Sequence, residues 1–322
     1  MFIALSISCT LIAQDKYAEM RNFLENCDFS TRKVPEIPPE GKSIRVIIDS
    51  DAKCEIDDQW AISLAVLSPE RFDIIGFIGA TYITGGPESI LRSCREIDTV
   101  LTLAGMKNKF PVYKGAPPMQ YPYEPSGSEG VDFIIREAMA STPDDPLWII
   151  GLGAPTDIAS AFLKEPDIAD RVVVFWHLRT QWPDKCYNFN VFGDPHATRI
   201  LFHSPLSFIL FDTGTYLTCP MPESEREVRT QGMLGKYLHD YRLGNEWMMS
   251  DDKGFFDLGD IAALIDPSSA YFEEVFCPEV SQDLNYEFKD SKGKILRCYY
   301  INRDAAFNLF YRKLREYNAG SN

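Results

Sequence analysis

The chain has 322 residues, of which 45% are hydrophobic and 13% aromatic, and it carries a formal net charge of −15. That is ample material for a large globular core, and the acidic balance excludes a nucleic-acid backbone or an anionic membrane surface as partner. Neutral or cationic small molecules and metal ions remain compatible.

Residues 1–13 resemble the apolar part of a secretory signal, with cleavage expected after Ala13. They lack a basic n-region, which a start further upstream would supply. Cys9 raises the alternative of a lipoprotein, but Ser6-Ile-Ser-Cys9 is a poor lipidation box. No other stretch is long and apolar enough to span a bilayer, so an exported protein, periplasmic or extracellular, is expected. The eight cysteines include no Cys-x-x-Cys pair, which argues against zinc; one or two disulfides would suit export.

Residues 14–42 read as a polar lead-in, Pro-rich over Val34–Pro39, and 43–322 as one domain. Within it, apolar runs at Ile44–Ile48, Asp73–Gly79, Leu147–Gly151, Arg171–Trp176 and Leu206–Phe211 predict strands. Helix-period segments near 58–67, 88–105, 129–140, 157–164 and 195–203 fall between them. The alternation implies βαβ units: a single α/β domain with a mostly parallel, doubly wound Rossmann-like sheet and helices on both faces. Residues 220–257 are irregular and Met-containing, and predict a helical lid. Asp283–Phe288 and Lys294–Tyr300 flank Lys289–Gly293 and predict a C-terminal antiparallel hairpin, followed by a closing helix over Asp304–Tyr317.

The most informative segment is Asp49-Ser-Asp51-Ala-Lys-Cys-Glu55-Ile-Asp57-Asp58, directly after the first strand. Five carboxylates in ten residues repel one another unless something offsets their charge. A hard divalent cation such as Ca²⁺ or Mg²⁺ suits oxygen ligands of this kind. A helix cap alone needs one carboxylate, not five. Three more segments fall at strand ends or helix starts: Gly151–Asp157, Asn188–Pro195 and Leu258-Gly259-Asp260. In an open parallel sheet such places converge on one edge, where ligands bind.

This set of segments, in this order, resembles the inosine–uridine-preferring nucleoside hydrolase family, over roughly residues 44–316. Asp49, Asp51, Asp57 and Asp58 match its Asp-x-Asp and Asp-Asp signature. Gly153-Ala-Pro-Thr156-Asp157 loosely matches its Gly-Pro-Leu-Thr-Asn segment, and Phe189-Asn190 with Asp194-Pro195 match a third. The resemblance implies Ca²⁺-dependent hydrolysis of the N-glycosidic bond of a riboside by a homodimer or homotetramer. By the same resemblance Asp51, Asp58 and Asp260, with the Thr156 carbonyl, would hold Ca²⁺; Asp57 and Asn190 would bind ribose hydroxyls, and Asp51 would also be the general base. Asp49 would orient the loop, Asp194 would cap a helix, and His196, His203 and Cys54 have no expected role. Thr156 also reads as a cap.

The departures are specific. The acidic loop is two residues longer than the usual form, with Ala52-Lys53-Cys54-Glu55 in place of Pro-Gly. The usual Asn after the second strand is Ala80 or Thr81. Asn188 stands where a Glu is usual near the ribose 5′ end, and Trp176-His177-Leu178 replaces Met-Gly-Gly. The residue before the expected last ligand is Gly259 rather than His. Sugar chemistry therefore looks retained and leaving-group recognition rewritten, with His177 the candidate leaving-group acid, Asn188 lining the sugar site, and Trp176 or a Tyr within 237–247 stacking on the base. The rivals are a sugar-binding protein without turnover and a metal-dependent phosphohydrolase; the latter lacks a basic cluster for phosphate beyond Lys53.

Overall fold

The computed structural model describes residues 17–26, 28–30, 32–289 and 292–320. The signal-like segment, Cys9 and Cys27 lie outside them. The chain enters through a helix over 17–26 (α1) and then alternates in βαβ fashion. The elements are β1 (Ile44–Ser50), α2 (Asp57–Val66), β2 (Phe72–Gly79), α3 (Ser89–Leu103), β3 (Val112–Lys114), α4 (Glu129–Met139), β4 (Leu147–Gly151), α5 (Thr156–Lys164) and β5 (Val172–Leu178). Two short helices, α6 (Phe189–Gly193) and α7 (Pro195–His203), lead into β6 (Ser207–Asp212).

These strands are buried on both faces, which is why they read as unbroken apolar runs rather than as alternation. The sheet order is β3-β2-β1-β4-β5-β6-β10-β7, parallel from β3 through β10 (Lys294–Ile301), with β7 (Ala270–Phe276) antiparallel at the edge. The direction of winding reverses between β1 and β4, and a switch point of this kind opens a crevice outside the strand ends. The core splits between the two faces of the sheet. Val46, Ile48, Trp60, Phe175 and Leu258 pack on one side, and Ile47, Val174, Trp176 and Phe202 on the other.

Helix α2 is buried along its entire length, polar residues included, and lies against the equally buried α11 (Phe256–Ile265). Trp60 anchors it, 4.0 Å from Phe255 and 4.8 Å from Phe310 between ring centroids. Phe310 belongs to the closing helix α12 (Arg303–Gly320).

Residues 220–257 are helical as anticipated: α8 (Met221–Ser224), a π turn over Glu225–Arg229, α9 (Gly232–Asp240) and α10 (Glu246–Met249). A C-terminal hairpin and helix are present, but the hairpin pairs differently. β8 (Pro278–Val280) pairs with β9 (Tyr286–Phe288), while Lys294–Ile301 joins the main sheet between β6 and β7. In the main sheet Lys294–Ile301 has hydrogen-bonding partners on both edges, β6 and β7, whereas a two-stranded ribbon would leave one of its edges unpaired.

Candidate metal and sugar site

The loop after β1 delivers its acids to a cleft at the switch point. Asp51, Glu55, Asp57, Asp58 and Asp257 all line it, together with His177, Arg179, Asn188 and Asn190. Its enclosed part measures about 50 Å³, which suits an ion and a water or two; a nucleoside needs the open mouth as well. Carboxylate oxygens of Asp57, Asp58 and Asp257 lie within 4.8 Å of one another. Asp58 Oδ1 accepts the Ser50 hydroxyl at 2.5 Å, which fixes its rotamer.

Burial dominates the electrostatics. Burial, and then Asp58 and Asp57, hold Asp51 well above the usual carboxylate range. Burial and Asp57 push Asp58 up to about 8. Asp257 is raised by burial, then by Asp58 and Asp57. Two cations oppose five carboxylates. Lys253 is fully buried, 2.7 Å from Glu55 Oε2 and 3.4 Å from Asp57 Oδ1. The Arg179 guanidinium lies 3.4 Å over the Phe256 ring, and burial lowers its pKa. The remaining charge, with Asp257 Oδ1 buried and accepting no hydrogen bond among the described residues, is costly without a cation. The donors are all hard oxygens, so the residues fit a divalent hard metal.

Asp260 does not itself line the cleft, but with His177 and Asp257 it forms a second group of ligand atoms lying within 4.8 Å of one another. It lies in the second turn of α11, wholly buried, with Oδ2 2.6 Å from His177 Nδ1. The carboxylate of α11 that reaches the cleft is Asp257, three residues earlier and missed by the sequence reading. Gly259 accordingly does not mark a lost histidine. A Cβ there would sit 2.7 Å from Phe211 and Leu217, so the helix packs too closely for any side chain. The residue before Asp257 is Phe256, which lines the cleft under Arg179.

Thr156, expected to offer its backbone carbonyl, is not among the residues lining the cleft. It begins α5 wholly buried, its hydroxyl donating to Asp194 Oδ2 at 2.8 Å, and Leu152 is the residue of that loop that lines the cleft. Trp176 does not face the cleft either. It is fully buried with its indole N–H donated to the Gly153 carbonyl at 3.0 Å. Successive residues of a strand point to opposite faces, so with His177 on the cleft side its neighbour Trp176 must point away.

The other polar groups converge. Asn190 donates to the Leu152 carbonyl at 2.8 Å and the His177 carbonyl at 3.2 Å, which spends its amide hydrogens and leaves its oxygen as an acceptor. Asn188 caps α6, accepting the Asn190 N–H at 2.8 Å, and also lines the cleft. Asp194 caps α7 through the Ala197 N–H and accepts the Met119 N–H. The two extra loop residues are tied down on both sides. Lys53 pairs with Glu96 at 2.7 Å under the Tyr241 ring, and Glu55 pairs with Lys253 from the 220–257 segment. Phe189, which lines the cleft, leaves part of its ring exposed, and Trp247, also partly exposed, has its ring 5.7 Å from the Lys253 Nζ.

The family model for inosine-uridine preferring nucleoside hydrolase matches residues 46–284. The fold is similar to a plant nucleoside hydrolase (TM-score 0.67, 18% identity, 85% of this chain and 99% of that one). It is equally similar to a purine-preferring ribonucleoside hydrolase from Gardnerella vaginalis (TM-score 0.66, 18% identity, the same coverage). An inosine-uridine preferring nucleoside hydrolase from Bacillus anthracis aligns with a TM-score of 0.64 at 15% identity, over 85% of this chain and 99% of its own. No curated protein sequence matches significantly.

Proposed function

Because the chain belongs to the inosine-uridine preferring nucleoside hydrolase family, we propose that it hydrolyses the N-glycosidic bond of a riboside with Ca²⁺ as cofactor. The observation that carries this reading is the clustering of Asp57, Asp58 and Asp257 oxygens within 4.8 Å in a buried cleft that also holds neutral hydrogen-bonding groups.

Asp51, Asp58 and Asp257 would hold the ion, in place of the set containing Asp260 and Thr156. When bound, the ion supplies Lewis acidity and offsets the carboxylate charge. Asp57 and the Asn190 amide oxygen accept hydrogen bonds from ribose hydroxyls. Asp51 takes a proton from the water that adds to the anomeric carbon. The C–N bond breaks with its electrons passing to the base nitrogen, and the neighbouring carboxylates stabilise the positive charge that develops on the sugar. His177, its Nδ1 fixed by Asp260, offers its other ring nitrogen as proton donor to the departing base. The apolar segment at 1–13 supports export, with a mature chain starting at Gln14, which N-terminal sequencing of the exported protein tests.

Release of free ribose from a panel of purine and pyrimidine nucleosides tests the function. Turnover by the wild type and its loss in Asp51→Ala, with sugar binding still measurable, is the expected result. Binding of nucleosides without any ribose release would instead make this a sugar-binding protein.

A further inference from the structure

Among the cleft groups, one cation has its hydrogen-bonding capacity unspent. Lys253 is committed to Glu55 and Asp57, and Arg297 at the sheet edge is committed to Asp212 and Glu273. Arg179 differs. Among the described residues no carboxylate lies within ion-pair distance of it and none of its side-chain nitrogens has a hydrogen-bond partner, and its Nε is buried.

Its position is nonetheless fixed. The guanidinium lies 3.4 Å over the Phe256 ring, and stacking of this kind holds the plane while leaving the N–H edges free for in-plane contacts. The residue beside it is Asn188, whose amide N–H reaches the Arg179 carbonyl at 3.5 Å; an amide does not compete for a guanidinium as a carboxylate would. The loop acids contribute a favourable field at a distance, but Lys253 already answers Glu55 and Asp57, and a divalent ion would answer Asp58 and Asp257. Arg179 is half-buried, and its Nε is buried without a partner, which is costly unless a ligand group supplies one.

We infer that Arg179 forms a subsite for an anionic group carried by the substrate, a phosphate on the sugar or a carboxylate on the base. The planar fork of N–H donors matches the paired oxygens of either group, which a neutral nucleoside does not offer. This inference deepens the hydrolase reading and rests on it for the placement of a riboside in the cleft.

Two measurements test it, one of them independent of turnover. The first is calorimetry on the Ca²⁺-loaded protein with ribose, ribose 5-phosphate, uracil and orotate. One of the two anions should bind about 10–100-fold tighter than its neutral counterpart, the range expected for hydrogen bonds to a charged partner. Arg179→Met should erase that ratio, and Arg179→Lys, which keeps the charge but not the fork, should restore only part of it. The second is the ratio of kcat/KM for uridine 5′-monophosphate and for orotidine to that for uridine. A raised ratio for the first assigns the subsite to a sugar phosphate, and for the second to a base carboxylate. Anion binding that depends on Arg179 without hydrolysis would leave the subsite standing and remove the hydrolase reading. Equal binding of anionic and neutral ligands, or an unchanged ratio in Arg179→Met, overturns the inference.

Discussion

Replacing Asp257 by Asn should move the metal-free and metal-loaded protein in opposite directions. Asp257 shares a space with Asp57 and Asp58 in which carboxylate oxygens lie within 4.8 Å of one another. Two unit charges at that separation repel by about 3.5 kcal/mol at an effective dielectric of about 20. Burial, Asp58 and Asp57 raise the Asp257 pKa, so without an ion part of the repulsion is relieved by proton uptake. An amide should then recover about 1–3 kcal/mol of what is left. With Ca²⁺ the balance reverses. An ion present at about 100 times its Kd stabilises the fold by about 2.7 kcal/mol, and loss of a carboxylate ligand removes most of that. Thermal melts in EDTA and in Ca²⁺ read both arms, at about 2–4 °C per kcal/mol for a domain approaching this size. The EDTA-treated variant should melt a few degrees above the EDTA-treated wild type, and Ca²⁺ should then add little. A variant that melts lower in EDTA, or that keeps the whole Ca²⁺-dependent rise, refutes the placement of Asp257 in the cation site. Asp260→Asn is the matched control. Its carboxylate is held by His177 at 2.6 Å, so the Ca²⁺-dependent rise should persist.

Gly259→Ala puts a methyl group 2.7 Å from Phe211 and Leu217, and should cost about 1–3 kcal/mol in denaturant unfolding; wild-type stability would mean that α11 does not pack as described. The 2′-deoxy analogue should be turned over about 10⁴-fold more slowly than the riboside if Asp57 and Asn190 hold the hydroxyls, and comparable kcat/KM values would remove them from that role. Burial pushes His203 from 6.5 down to about 4. Between those values the unfolded chain takes up a proton that the folded chain refuses, so stability is full above about pH 6.5 and falls as the pH drops towards 4. The loss is at most on the order of 3 kcal/mol. His203→Gln should flatten that limb of the stability–pH curve, and an unchanged slope would show that His203 does not set it.

The strands and the acidic loop were legible in the sequence for a physical reason. Parallel strands covered on both faces read as continuous apolar runs, and five carboxylates in ten residues have few cheap explanations. The errors came from questions that composition does not answer. Asp257 and Asp260 sit three apart on one helix, and only the close packing of Gly259 on Phe211 and Leu217 shows which turn faces the cleft. The exclusion of Trp176 was available from the two-residue period of a strand once His177 was set on the cleft side. The partner of Lys294–Ile301 was not available, because its pattern suits a ribbon or an interior position equally well, and the sheet order decides. Arg179 carried no sequence signal at all, since its role depends on Phe256, which is 77 residues away in the chain and brought beside it only by the fold.

The central claim is that one divalent cation, held by Asp51, Asp58 and Asp257, is required for cleavage of a riboside. The most direct test is to strip the protein with EDTA and follow ribose release as Ca²⁺ is titrated back. Turnover should vanish on stripping, return in step with binding at one site per chain, and fail to return in Asp58→Ala. Ribose release that survives EDTA undiminished, or that returns equally in Asp58→Ala, would contradict the account.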